Sequence, residues 1–291
     1  VFLEKCLAGA HVINGFGKSI GLVQVQELGT LETPILLTNT LSVGTVSTAL
    51  VEYMLERNDD IGLDAGTVNS LVMECNDARL SDIRGLHVTK EHARAALAAA
   101  SETFAEGDVG AGAGMVCYSL KGGIGSASRL CHLYGETYTV GALVMTNFGT
   151  LRDLRVAGDP VGERLYRQEQ SELKDKGSII IVLATDVPLS SRQLERVAKR
   201  AQSGIARTGG ISGSGEIALA FTTGNKLAHY SSDRLESIRL VYEEDIDEVF
   251  RAAIESVDEA IISSMLHASA VTGRAGNHYK SLADLYKPGE K

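Results

Sequence analysis

The sequence predicts a mixed α/β protein, on three observations. The aliphatic run Ile179–Leu183 reads as a buried strand. The segment 243–269, EEDIDEVFRAAIESVDEAIISSMLHAS, repeats apolar residues at three- and four-residue spacing, as an amphipathic helix does. Between such segments lie short glycine clusters, which suit close backbone approach around a site better than a disordered tract.

The elements follow in order. TPILLTNT (33–40) reads as a strand leading into a loop, and 43–57 as a helix with Val46, Leu50, Met54 and Leu55 near one face. SLVMECND (70–77) reads as a strand ending in a polar loop, and alanine-rich 90–104 as a helix. Residues 107–129 form a glycine-rich segment around a short apolar run. TYTVGALVMTNFG (137–149) reads as a buried strand with a polar exit, 154–165 as a hairpin about Gly158-Asp159, and charged 167–177 as an exposed loop suited to a chain break. After the strand that Ser178 opens, 190–207 carries the helical stripe Leu194, Val197, Ala198 and Ala201, capped by Ser190 or Ser191. Glycine- and serine-rich 208–225 contains a strand at 217–222. In the last helix, Ile246, Val249, Phe250, Ala253, Ile254, Val257 and Ile261 form the core face.

Composition narrows the class. The 291 residues are 44% hydrophobic and 22% charged, with 31 Gly, 4 Pro and no Trp, as in a globular chain of one large or two smaller domains. A net charge of −9 without a basic block argues against nucleic acid. No apolar run reaches the ~18–20 residues that span a bilayer, and no signal peptide is evident. The chain starts without Met, so its first residues are expected to be missing. Cys6, Cys75, Cys117 and Cys131 have neither C-x-x-C nor zinc-finger spacing and read as free thiols of a reducing, cytoplasmic compartment.

Several signatures are excluded. GFGKS (15–19) ends like a P-loop, but Val12 stands where that motif needs glycine. GDVGAGAGMV (107–116) fails G-x-G-x-x-G at Met115. No H-E-x-x-H or G-x-S-x-G occurs, and the seven histidines are scattered. No metal or other cofactor is called for.

What remains is a polar set at strand ends. Gly177-Ser178 stands directly before a core strand, so the serine is held at a sheet end. If the chain is cut there, Ser178 carries a hydroxyl and an α-amine of pKa about 7.7–8.0, a nucleophile and a base in one residue. The same dipeptide is also an ordinary loop ending. In SGSGE (212–216), Ser214 and Glu216 are two residues apart, and an extended backbone turns both the same way for a proton relay; a serine-rich turn is the plainer alternative. Asn147 in TNFG can donate to an oxyanion or simply close a turn. Glu74 in ECND (74–77) can hold a substrate ammonium or cap loop amides.

Taken together, TPILLTNTLSVGTV, VMECND, GDVGAGAGMVCYSLKGGIGSASR, KGSIIIVLATDVPLSSRQLERVAKRAQSGIARTGG and SGSGEIALAFTTGN resemble the family of L-aminopeptidase/D-esterase (DmpA type) and the β-peptidyl aminopeptidases, over nearly the whole chain. The resemblance implies one four-layer αββα sandwich, of the type shared with ornithine acetyltransferases. It implies self-cleavage between Gly177 and Ser178 into a large piece, 1–177, and a small piece, 178–291. It implies Ser178 as nucleophile, Ser214 and Glu216 as assisting hydroxyl and carboxylate, Asn147 as oxyanion donor and Glu74 as the carboxylate for the substrate's amino group. A homo-oligomer of processed two-chain units and small peptide, amide or ester substrates are implied as well. The chain joins the family's pattern well past its start, so an N-terminal stretch of the sandwich is expected to be absent. Some relatives have a tyrosine with a proposed oxyanion role where Asn76 stands; Asn76 also donates, but in a pocket of different shape. The expected activity is that of a self-processed serine aminopeptidase. The alternatives are an acyltransferase resembling ornithine acetyltransferase, whose threonine nucleophile Ser178 does not match, and an uncut binding protein.

Overall fold

The computed structural model describes residues 1–169, 177–211, 213–231 and 235–286, with 168 and 169 by their backbone alone. In chain order, β1 (Glu4–Gly15) leads through α1 (Leu22–Leu28) to β2 (Thr30–Leu31). β3 (Ile35–Asn39), α2 (Val43–Leu55), β4 (Leu71–Cys75) and α3 (Lys90–Ala98) follow. A short hairpin, β5 (Val116–Cys117) with β6 (Leu120–Lys121), precedes a long one, β7 (Gly123–Leu133) with β8 (Glu136–Asn147). Then come α4 (Val161–Glu169), β9 (Ser178–Thr185), α5 (Ser191–Arg207), β10 (Gly215–Ala228), α6 (Asp247–Leu266) and a last hairpin, β11 (Val271–Thr272) with β12 (His278–Tyr279).

Six strands form the main sheet in the order β2-β1-β10-β9-β8-β7. β9 and β10 run parallel; the other neighbours are antiparallel. The parallel pair β3-β4 makes a second, smaller sheet. Strand alternation sorts the side chains into layers. Ile179, Ile181 and Leu183 of β9 join Leu194 and Val197 of α5 and Val257 and Ile261 of α6 in one core. On the opposite face, Ile180, Ile217 and Leu219 meet Leu71, Met73 and Cys75 of β4. Beyond β4, Val72 packs with Val46, Leu50 and Met54 of α2 and Ala93 of α3. The sequence of layers is helix, sheet, sheet, helix, which is the αββα sandwich. Each fully buried isoleucine in these cores contributes about 1.5–3 kcal/mol of hydrophobic burial.

The helices that sheathe the main sheet form where the sequence signals them. Ser190 caps α5 by accepting the Gln193 N–H at 3.2 Å, while Gln193 Oε1 accepts the Ser190 N–H at 3.1 Å, a reciprocal capping box. α6 buries Val249, Phe250, Ala253, Val257 and Ile261, with Ile246 just ahead of it, and leaves Ile254 half-buried.

Elsewhere the structure departs from the sequence reading. Leu55 is exposed rather than on the α2 core face. α3 ends at Ala98, short of the expected 104, and α6 ends at Leu266. Residues 154–165 contain the expected turn, bridged between Val156 and Asp159, but the chain then enters α4 instead of a second hairpin arm. The charged loop expected at 167–177 is therefore helical through Glu169, and its centre, 170–176, lies outside the described residues. The glycine-rich segment 107–129 conceals most of β7, and β10 extends well beyond 217–222. Among the described residues no helix is long and apolar enough to cross a membrane. None of the four cysteines is joined in a disulfide.

Candidate active site

Ser178 opens β9 in the middle of the main sheet, with Asn147 of β8 and Gly215 of β10 as its register partners. Gly177 precedes it at a position where a β-carbon would stand 1.7 Å from the Asn147 carbonyl oxygen. Only glycine lets the chain enter the strand so close to its neighbour. From the second sheet, the Cys75 thiol lies near Ser178; burial pushes the thiol well above its usual range, so it stays neutral. Cys75 Sγ also donates to the Met145 carbonyl at 3.6 Å.

The carbonyl between Gly177 and Ser178 is held in a specific way. Its oxygen accepts the Ser214 N–H at 2.6 Å and the Ser214 hydroxyl at 2.7 Å. Two donors from one residue polarise this carbonyl as an oxyanion hole does. The turn that carries Ser214 is anchored on both sides: Glu216 Oε1 accepts the Gly213 N–H, Asn14 Nδ2 donates to the Gly213 carbonyl, and the Phe16 N–H donates to the Ser214 carbonyl at 3.0 Å. Glu216 is thus buried at the foot of the turn that positions Ser214.

Asn147 is oriented from the other side. Its Oδ1 accepts the Val116 N–H at 3.0 Å and its Nδ2 donates to the Asn76 carbonyl at 2.9 Å. An amide NH₂ carries two hydrogens, and the second is the one an oxyanion can take. Val116 owes its position to a buried cation. Lys121 Nζ donates to the carbonyls of Gly112 (2.9 Å), Met115 (3.1 Å) and Gly122 (2.6 Å). Burial lowers the Lys121 pKa to about 8, against the opposing pull of Asp108 and Cys117.

Glu74 lies at the end of β4, one residue before Cys75. Its carboxylate accepts the Lys18 N–H at 2.9 Å and the Thr40 hydroxyl. Asn76 Oδ1 accepts the Ala78 N–H at 3.0 Å, closing a local turn, while its carbonyl takes the Asn147 amide. The structure therefore joins Gly177, Ser178, Asn147 and Ser214 directly, attaches Glu216 through the 213–216 turn, and sets Glu74 and Asn76 on either side of Cys75. Sequence reasoning missed Cys75, Val116 and Lys121. The signal for Lys121 was a lone lysine inside glycine-rich YSLKGGIG, a place where an ammonium can serve several free carbonyls. Among the described residues no group of three or more His, Cys, Asp and Glu is placed to hold a metal ion.

A serine at the head of a central strand, its preceding carbonyl polarised and an asparagine amide beside it, on an αββα sandwich, defines a hydrolase of the N-terminal-nucleophile class. Comparison with known proteins agrees. The model of peptidase family S58 matches residues 1–279. The β-peptidyl aminopeptidase BapA of Sphingosinicella microcystinivorans is 39% identical over 286 residues, which span 92% of this chain and 71% of that protein. The crystal structure of the PH0078 protein from Pyrococcus horikoshii OT3 superposes with a TM-score of 0.92 at 50% identity, covering 97% of this chain and 78% of that one. The L-aminopeptidase D-Ala-esterase/amidase of Ochrobactrum anthropi, a prototype of the serine aminopeptidases and a variant of the Ntn hydrolase fold, superposes with a TM-score of 0.88 at 36% identity over 96% of this chain and 78% of that one. The chain belongs to peptidase family S58, and its activity class is that of a serine aminopeptidase.

Proposed function

We propose that the chain matures by cutting itself between Gly177 and Ser178 and then removes N-terminal residues from short peptides, amino-acid amides or esters. In the first stage Ser178 Oγ attacks the Gly177 carbonyl carbon and the C–N bond breaks in an N→O acyl shift. The Ser178 nitrogen takes a proton to become the α-amine, and water hydrolyses the ester. In the second stage the same Oγ attacks the substrate carbonyl, its proton passing to the α-amine or to the Ser214–Glu216 pair; the scissile bond breaks, the amine or alcohol leaves with that proton, and water hydrolyses the acyl-serine ester to free the acid and Oγ–H. Asn147 Nδ2 steadies the tetrahedral oxyanion, worth about 2.7–4 kcal/mol for one good donor. Glu74 pairs with the substrate ammonium and confines cleavage to the first residue. Asn76, at the cavity wall, bounds the acyl site.

The observation that supports this reading most is the double hydrogen bond from Ser214 to the Gly177 carbonyl, which activates one peptide bond beside one serine. Assembly of the processed unit into a homo-oligomer and a cytoplasmic location, which the free thiols favour, belong to the same reading. The test is an intact mass spectrum under denaturing conditions, with hydrolysis of an aminoacyl p-nitroanilide, for the native chain and Ser178→Ala. Two native species, the smaller beginning at Ser178, and one uncut, inactive Ser178→Ala species are expected. Processing and hydrolysis by Ser178→Ala would overturn the reading.

A further inference from the structure

Residues 15–20 carry the chain across the site, from the main sheet to the second. The span starts where Gly15 of β1 pairs with Gly215 of β10, and Gly215 in turn with Ser178 of β9. It ends where Ile20 exchanges hydrogen bonds with Val72 of β4 at 2.9 and 3.2 Å. Between these ends it is tied to both parts of the site. The Phe16 N–H donates to the Ser214 carbonyl at 3.0 Å, and the Lys18 N–H to Glu74 Oε1 at 2.9 Å. Two glycines let it lie close. A β-carbon at Gly215 would stand 2.6 Å from the Phe16 carbonyl oxygen and 3.5 Å from Ser178 Cβ, and one at Gly17 would stand 3.7 Å from Glu74 Oε1. The span thus runs from the proposed nucleophile to the carboxylate proposed for the substrate ammonium, alongside the place of the substrate's first residue.

Phe16 stands on this span with 74% of its surface exposed. A lone exposed phenyl is common on protein surfaces, and exposure by itself assigns nothing. Phe16 is set apart by its placement. Gly15 lies two strands from Ser178, about 10 Å at the usual strand spacing, and Phe16 follows it toward Glu74. Its ring has the Lys18 ammonium 5.2 Å from its centre, a cation–π contact that favours this position. An apolar face whose backbone is already fixed gains by covering apolar surface on whatever binds beside it, with little further ordering to offset.

We propose that Phe16 is a specificity-determining residue whose ring covers the side chain of the substrate's first residue, so that the peptidase prefers a bulky apolar N-terminal residue to glycine. The inference rests on the aminopeptidase reading and adds to it a substrate class.

The experiment measures kcat/KM for leucine p-nitroanilide and glycine p-nitroanilide, which share a leaving group, in the native enzyme, Phe16→Ala and Phe16→Leu. The dipeptides Gly-Leu and Gly-Gly, which vary the leaving side instead, are run beside them. A native preference of about tenfold to a hundredfold for the leucine anilide, carried mainly by KM, is expected. It should fall about tenfold in Phe16→Ala and survive largely in Phe16→Leu, with the ratio of Gly-Leu to Gly-Gly unmoved in both. Each ratio is taken within one protein, so a general loss of activity in a variant does not mimic the effect. A native ratio near or below unity, a ratio that Phe16→Ala does not lower, an equal fall in Phe16→Leu, or a fall on the leaving side would overturn the contact while leaving the aminopeptidase intact. Failure to hydrolyse any of the four compounds would instead overturn the aminopeptidase reading, and the specificity with it.

Discussion

The Gly177 carbonyl oxygen is bracketed by a single residue, Ser214, through its N–H at 2.6 Å and its hydroxyl at 2.7 Å. The hydroxyl is one of the two donors and can be removed alone. Ser214→Ala is expected to slow maturation about 100-fold, the usual effect of losing one oxyanion donor, while Ser214→Thr retains most of the rate. The uncut band followed over time on a denaturing gel measures both. Maturation of Ser214→Ala at the native rate would show that the hydroxyl contributes nothing to the cut.

Gly177 has no room for a side chain. A methyl there would meet the Asn147 oxygen at 1.7 Å and Phe148 Cα at 2.7 Å, so Gly177→Ala must push the scissile bond out of register with Asn147 and Ser214. The expected mass spectrum is a single full-length chain after incubation that fully processes the native protein.

Asn147 plays two parts that substitution can separate. Asn147→Asp keeps an oxygen to accept the Val116 N–H but loses the donor to the oxyanion. A fall in kcat of about 10²–10³ is expected, with a lower melting temperature because the new carboxylate oxygen faces the Asn76 carbonyl that Nδ2 serves. Asn147→Ala also strands the buried Val116 N–H and should cost about 1–3 kcal/mol of stability besides. Steady-state kinetics and thermal melts on both variants separate the two effects.

Lys121 gives a pH signature. Burial lowers its pKa to about 8, below that of an exposed lysine. Between that value and about 10.4, the unfolded chain holds the proton and the folded chain does not. The unfolded state then binds more protons, so this group's contribution to stability rises with pH through that window. The native protein should gain stability relative to Lys121→Met on going from about pH 7 to about pH 10, read as the shift in their urea midpoints. A constant or shrinking difference would contradict the buried ammonium.

The parts of the fold that the sequence hid share one physical cause. β9, α5 and α6 bury large aliphatic residues, and their periods are visible. β1 and β7 lie beneath helices that come so close that side chains must vanish. A β-carbon at Gly9 would stand 2.4 Å from the Glu195 nitrogen of α5, and one at Gly125 2.1 Å from the Ala260 oxygen of α6. Glycine at these positions erases the β-branched signature of a strand. The site divides similarly. Ser178 and Asn147 sit at ends of readable strands, whereas the Val116–Asn147 and Lys121–Gly112 contacts join residues whose partners no local pattern names. Gly125→Ala follows from the same packing: α6 must lift, at a cost of about 1–3 kcal/mol, measurable as a lower melting temperature.

The order β2-β1-β10-β9-β8-β7 has a consequence for the molecule after the proposed cut. β9 and β10 belong to the small piece, yet they are wedged between β1 and β8 of the large one, with eleven residue pairs along the β1 seam and eight along the β8 seam. Such halves are interlocked rather than docked. Neither can leave without tearing the shared sheet, so a heavy-isotope-labelled batch mixed with an unlabelled one would keep its original pairings for as long as it stays native. The proposed cleavage would free a terminus and change the chemistry of Ser178, while the two new chains would remain, in every mechanical sense, one body.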